Sequence, residues 1–237
     1  MTAQRGWMPN VVRIPTNNFG YSSVPSGGMT PTAIVNHIAQ GFIRTIDGWA
    51  RNDTNIAPHF GITRGGEIHQ YVSIFDPAYH AGRLDDGAPP TWPGYQGHNP
   101  NKYTVGIEFE GFSVPPGYGF DFVYSAQRPW PEPMVEAGIR VHQWVFGELP
   151  ALVPDTSSVI AHREIAPRSR AHDPGEHWPQ ARIIAACAPG GAETSPALTR
   201  QEALELMVLA FERDTDVRFE KQPVEGTRRV YKLSAPN

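Results

Sequence analysis

Two alternating runs, Pro58-His-Phe-Gly-Ile-Thr63 and Glu67-Ile-His-Gln-Tyr-Val-Ser-Ile74, meet at Arg64-Gly65-Gly66. Strands this short, joined by a glycine turn that tolerates positive φ, lie side by side and antiparallel, so the chain is committed to a sheet. A lone hairpin is marginal in water and needs further strands and a covering layer. Other apolar runs supply both. Residues 11–14 read as an edge strand or lead-in, and the β-branched run 32–38 brings His37 to a strand end. Residues 103–111 alternate, which sets Val105, Ile107 and Phe109 on one face and Glu108 with Glu110 on the other. Residues 159–161 form a last short strand. Residues 40–52 carry Phe42, Ile46 and Trp49 at helical spacing. Residues 132–149 set Met134, Gly138, Val141 and Val145 on one stripe, and 178–186 read as a brief closing helix. The expected fold is α/β, a central mixed sheet flanked by helices.

The 24 prolines and 23 glycines fall largely between these runs and point to shaped loops around the core. The longest spans residues 75–102, and a loop of that length inside a compact domain is usually functional. Composition changes at Ala188, where APGGAETS has the makeup of a linker. We therefore expect a main domain over residues 1–187, a linker over 188–198 and a small unit over 199–237. That unit opens with a capping box, Thr199-Arg-Gln-Glu202, before a helix through Leu204, Met207, Val208 and Phe211. A pair of strands over 217–220 and 229–233 follows it. A net charge of -4 without a clustered basic stretch argues against nucleic acid or an anionic membrane surface as partner. No apolar run approaches the roughly 18 residues of a membrane span. The N-terminal MTAQRGWMPN lacks the apolar core of a secretory signal, so the protein is expected to be made in the cytoplasm. The single cysteine, Cys187, rules out an internal disulfide framework.

Chemistry concentrates in residues 161–175, AHREIAPRSRAHDPG. Two imidazoles, two carboxylates and three guanidiniums share fifteen residues with two prolines and a glycine, which reads as an open loop rather than a helix. His162, His172 and Asp173 are all types that bind divalent transition metals, and zinc is the usual occupant of a mixed imidazole and carboxylate site. Further ligands must come from elsewhere in the chain, and His37 at a strand end lines up with this loop and with Glu108. The other histidines read more plainly. His59 and His69 lie in the hairpin as packing or surface residues, and His98, His142 and His177 carry no chemistry of their own. Cys187 reads as a small core residue. Of the tryptophans, Trp92 and Trp130 in proline-rich loops are the alternatives to pure core packing, as sugar-stacking platforms.

In sequence order, IVNH, PHFGITRGGEI, YHAG, TVGIEFEG and AHREIAPRSRAHDPG resemble the zinc-dependent N-acetylmuramoyl-L-alanine amidases. This type 2 amidase family shares its fold with peptidoglycan-recognition proteins and includes phage endolysins. The resemblance covers about residues 30–187, and NHIAQGFIRTIDGWA is similar to amidase domains in lysins of phages infecting actinobacteria. It implies a Zn2+ cofactor held by His37, His162 and Asp173, the last in the Asp-Pro-Gly context of one branch of the family. Relatives place that ligand one residue nearer the second histidine. Here Asp173 stands eleven after His162, and His172, in the nearer place, is the alternative. The resemblance makes Glu108 the general base. A tyrosine used by some relatives has Pro58 in its position. Arg170 takes the place of the family's oxyanion-stabilising lysine, and His80 and Asn101 that of groove residues that touch substrate. The implied activity is hydrolysis, by zinc-activated water, of the amide between N-acetylmuramic acid and the L-alanine of the peptidoglycan stem peptide. The setting it suggests is a phage lysin released to the cell wall by a holin. A catalytically silent recognition module and a cytosolic muropeptide-recycling amidase are the alternatives. A zinc peptidase would need an H-E-x-x-H helix, which the sequence lacks.

Overall fold

The computed structural model describes residues 5–54, 56–82, 87–113, 129–190, 218–222 and 230–234. Six strands, β1 (Val12–Arg13), β2 (Ala33–Ile38), β3 (Phe60–Ile62), β4 (Ile68–Gln70), β5 (Thr104–Phe109) and β6 (Val159–Ala161), form one sheet in the order β1-β4-β3-β5-β2-β6. The β3–β4 hairpin is antiparallel and every other pairing is parallel, so the sheet is mixed, as expected. The hairpin strands are shorter than their alternating runs, although backbone hydrogen bonds flank the ladder at Tyr71 N to His59 O and Thr63 N to Glu67 O, both 3.0 Å.

The central strands β2 and β5 are buried along their whole lengths, the usual condition of parallel strands covered on both faces. On one face Ile34, Ile38, Val105, Ile107 and Phe109 pack with α2 (Glu132–Glu148) through Met134, Ala137, Val141 and Val145. Gly138 sits on that stripe because a Cβ there would come within 2.9 Å of the Phe109 ring. The last helix, α4 (Gln180–Cys187), adds Ile183 to the same cluster. The opposite face is covered in two parts. The first helix, α1 (Ile43–Arg51), buries Ile43, Ile46 and Ala50 with Tyr71 and Val72. Ala81, Trp92, Tyr103 and Ile165 cover Ala33 and Val35 of β2 and Ile160 of β6, with Trp92 stacked on Tyr103 at a centroid distance of 5.8 Å.

Two expectations need correction. The first helix begins at Ile43, three residues later than its apolar spacing suggests, and no neighbouring side chain caps it. Its first N–H instead donates to Glu110 Oε1 at 3.3 Å, while Glu110 Oε2 accepts from Arg64 N at 3.0 Å. Glu110 is thus a structural acid that ties strand, helix and hairpin turn together through backbone N–H groups. Residues 161–175 are also not loop throughout. They open with one helical turn, α3 (His162–Ile165), closed by Glu164 Oε2 accepting from Ala161 N at 2.7 Å.

The chain divides into two compact units, Met1–Thr194 and Ser195–Asn237. Within the second, β7 (Arg218–Gln222) and β8 (Val230–Ser234) pair antiparallel. The helix expected through Leu204 and Phe211, and residues 191–198 of the expected linker, lie outside the described residues. Among the described residues no helix is long and apolar enough to cross a membrane.

Candidate metal centre

The parallel register of β2 and β5 sets His37 beside Glu108. Paired residues of parallel strands share a face. His37 and Glu108 have the parity of Val35 and Gly106, opposite to the residues packed on α2, so both enter the space beneath the long loop. On the other side of β2, Asn36 pairs with Ala161, and the chain turns into α3 with His162 as its first residue. The loop then returns. Asp173 N donates to Arg170 O at 2.9 Å, and its carbonyl accepts from Arg163 N at 3.1 Å. Its Oδ1 accepts from Ile38 N at 2.8 Å, which locks the carboxylate beside the end of β2. The Asp173–Pro174 peptide is cis.

Three donor atoms converge as a result. His37 Nδ1 and His162 Nδ1 are 2.8 Å apart, His162 Nδ1 lies 3.0 Å from Asp173 Oδ2, and His37 Nδ1 lies 3.9 Å from the same oxygen. A tetrahedral zinc with bonds of about 2.0–2.1 Å sets its ligand atoms roughly 3.3 Å apart, a value these separations bracket. The three side chains are buried, at 1%, 3% and 4% exposure. They form the one cluster among the described residues with metal-binding geometry, and His172, the alternative third ligand, does not belong to it. The donor set therefore fits a zinc ion held by three protein ligands.

The electrostatics suit that role. Burial, then the charges of His162, His80 and Arg170, hold His37 well below its ordinary pKa, so its ring stays neutral and keeps a lone pair to donate. Glu108 goes the other way. Burial pushes its carboxyl well above the ordinary range, the nearby Asp173 charge adds to the shift, and Arg170 opposes it. Its Oε2 is buried without a hydrogen-bond partner among the described residues. A carboxyl so placed is poised to take and return a proton. Arg170 is exposed, and its charge acts on both His37 and Glu108.

His80 and Asn101 are both buried. The His80 ring lies over Gly106, where a Cβ would come within 2.2 Å of it, and its Nδ1 is 3.1 Å from His37 Nε2. Asn101 lies in the 3-10 turn Pro100–Lys102, and its Oδ1 accepts from the N–H groups of His80 and Ala81. His59 bridges Gly106 N and the Asp76 carbonyl and packs edge-on against His80, the packing role expected of it, and His142 lies buried within α2 with its Nδ1 2.7 Å from the Gly138 carbonyl. His69 is a partner of Asp47 and Glu67. Trp92 and Trp130 are buried at 3% and 8% exposure, which removes them as stacking platforms. Sequence reasoning missed two backbone contributors, Ile38 N on Asp173 and the Ala81 carbonyl, 3.1 Å from His162 Nε2. Their places next to IVNH and within YHAG were the signal available.

A family model described as N-acetylmuramoyl-L-alanine amidase matches residues 27–176. Among solved structures, the chain is similar to a selenomethionine derivative of AmpD, with a TM-score of 0.58 and 22% identity over 80% of this chain and 100% of that one. It is also similar to AmiD from E. coli in complex with the substrate anhydro-N-acetylmuramic acid-L-Ala-D-gamma-Glu-L-Lys, with a TM-score of 0.52 and 20% identity over 73% of this chain and 61% of that one. At such identities the likeness is one of fold, and the mixed six-stranded sheet with its flanking helices is the fold they share. No curated protein matches the chain significantly in sequence.

Proposed function

The chain belongs to the N-acetylmuramoyl-L-alanine amidase family, and from that membership we propose that it is a zinc-dependent hydrolase. Its substrate is the amide between N-acetylmuramic acid and the L-alanine of the peptidoglycan stem. The observation that carries this reading is the convergence of His37 Nδ1, His162 Nδ1 and Asp173 Oδ2 in one buried cluster, with Glu108 in register beside His37. Bound by these three side chains, zinc supplies Lewis acidity to the scissile carbonyl and acidity to a water molecule. Glu108 takes the proton from the attacking water and returns it to the departing L-alanine nitrogen. We assign Arg170, whose charge acts on both His37 and Glu108, to the developing oxyanion, where a cation would favour the transition state over the ground state. Burial of the cluster excludes bulk water and strengthens each of these interactions.

We further read the enzyme as a lysin acting on intact wall, reached from the cytoplasm through a holin pore. The second unit, which lies beyond the family match, supports that reading, because a small soluble muropeptide needs no additional module. The test is mass spectrometry of material released from purified peptidoglycan by the zinc-loaded and the chelator-treated protein. Free stem peptides with an L-alanine N-terminus, released by the zinc-loaded form alone, are expected. Binding without release makes the chain a recognition module, and release from soluble muropeptides but not from intact wall makes it a recycling enzyme.

A further inference from the structure

Both ligand histidines turn their second nitrogen toward one short turn. His37 Nε2 lies 3.1 Å from His80 Nδ1, and His162 Nε2 lies 3.1 Å from the Ala81 carbonyl. Among the described residues one side chain holds both N–H groups of the turn: Asn101 Oδ1 accepts from His80 N at 3.1 Å and from Ala81 N at 2.7 Å. The Asn101 amide nitrogen donates to the Tyr21 hydroxyl at 3.0 Å, and Asn101 N donates to the Asn99 side chain, so the clamp is itself held at both ends.

The acceptors at the far ends fix the proton positions. A backbone carbonyl can only accept, so His162 carries its proton on Nε2, facing Ala81, and leaves Nδ1 bare toward Asp173. His80 Nε2 lies 3.3 Å from the Thr104 carbonyl and so carries the proton of that ring. Its Nδ1 is then an acceptor, and His37 must donate to it from Nε2. Both ligands are left with an unprotonated Nδ1 on the side where the three donor atoms meet.

We propose that Asn101 is a positioning residue for the metal: by holding residues 80 and 81 in one turn, it sets the acceptors that orient both imidazoles and fix their tautomers. Gly106 completes the device by leaving space for the His80 ring. The proposal rests on the reading of His37, His162 and Asp173 as zinc ligands. It makes one uncharged asparagine, itself outside the ligand set, control two of the three ligands at once.

The test measures zinc affinity of the full chain by competition with a chromophoric chelator, with folding followed by circular dichroism. Asn101→Ala should weaken zinc binding about 10- to 100-fold, while Asn101→Asp, which keeps the accepting oxygen, should stay within about threefold of wild type. The second readout is nitrogen NMR of the zinc-loaded wild-type protein. It should show His37 protonated on Nε2 and coupled across the hydrogen bond to an unprotonated His80 Nδ1. Equal zinc affinity of wild type and folded Asn101→Ala overturns the proposal while leaving the metal reading intact. A proton on His80 Nδ1 does the same, and decides the matter if Asn101→Ala does not fold. A wild-type protein that binds no zinc overturns both.

Discussion

Glu108 is a carboxyl group denied the solvation that ordinarily favours its charged form. It sits on a fully buried strand, one oxygen lacks a partner among the described residues, and Asp173 adds like charge nearby. Glu108→Gln keeps the shape of the side chain and removes the carboxylate that takes and returns a proton, so amide cleavage should fall about 10²- to 10⁴-fold with zinc content unchanged. Rates of stem-peptide release together with metal analysis check this, and a variant within tenfold of wild type removes Glu108 from the chemistry. The candidate acid was legible in the sequence, because alternation along 103–111 puts it opposite the apolar residues that meet α2. The work done by Asn101 was not legible. Its two acceptor bonds join residues about twenty positions apart through backbone N–H groups, and such bonds leave no mark on residue type. The choice between His172 and Asp173 also needed three dimensions, since the separation of ligands in a bent loop is not their separation in sequence.

At the scale of elements, periodicity finds the six strands of the main sheet and the helices α1, α2 and α4; the errors are element ends and the single turn of α3. The start of α1 lies later than its spacing suggests because its capping group is Glu110, just past the end of β5 and 67 residues downstream in sequence. The opening turn of α3 was missed because its prolines and glycine stop a helix only beyond Ile165. Element packing also decides a case in which two effects oppose. Replacing Gly138 by Ala favours helix α2 by about 1 kcal/mol. The new methyl would sit 2.9 Å from the ring of Phe109, a fully buried residue with little room to move. Overpacking of this kind costs about 1–3 kcal/mol, so we expect Gly138→Ala to lower unfolding free energy by about 1 kcal/mol. Urea denaturation with the m-value held constant measures it, and a stabilised variant shows that Phe109 yields.

For the whole molecule, acid should be the weak flank. Burial holds His59 and His142 down at about 4, and His142 Nε2 has no partner among the described residues. An unfolded histidine takes up its proton near pH 6.5, so between that value and about 4 the unfolded chain binds protons that the folded chain refuses. Stability is complete above this window, drains as pH falls through it and levels off below, by about 3 kcal/mol for each ring. Glu108, with its raised pKa, acts in the opposite sense. Replacing His142 with Leu should make the loss between pH 7 and 4.5 shallower by about 2 kcal/mol in denaturant titrations, and an unchanged slope places the acid sensitivity elsewhere. The margins of the sheet carry a separate consequence. At one edge β1 is only two residues long and runs into Pro15; at the other, β6 is three residues long and its Val159 carbonyl is taken by Gln180 Nε2 at 2.7 Å. Neither border offers a long row of open backbone groups to a neighbouring chain, so crowding many copies into a small volume should not zip them into fibrils along this sheet.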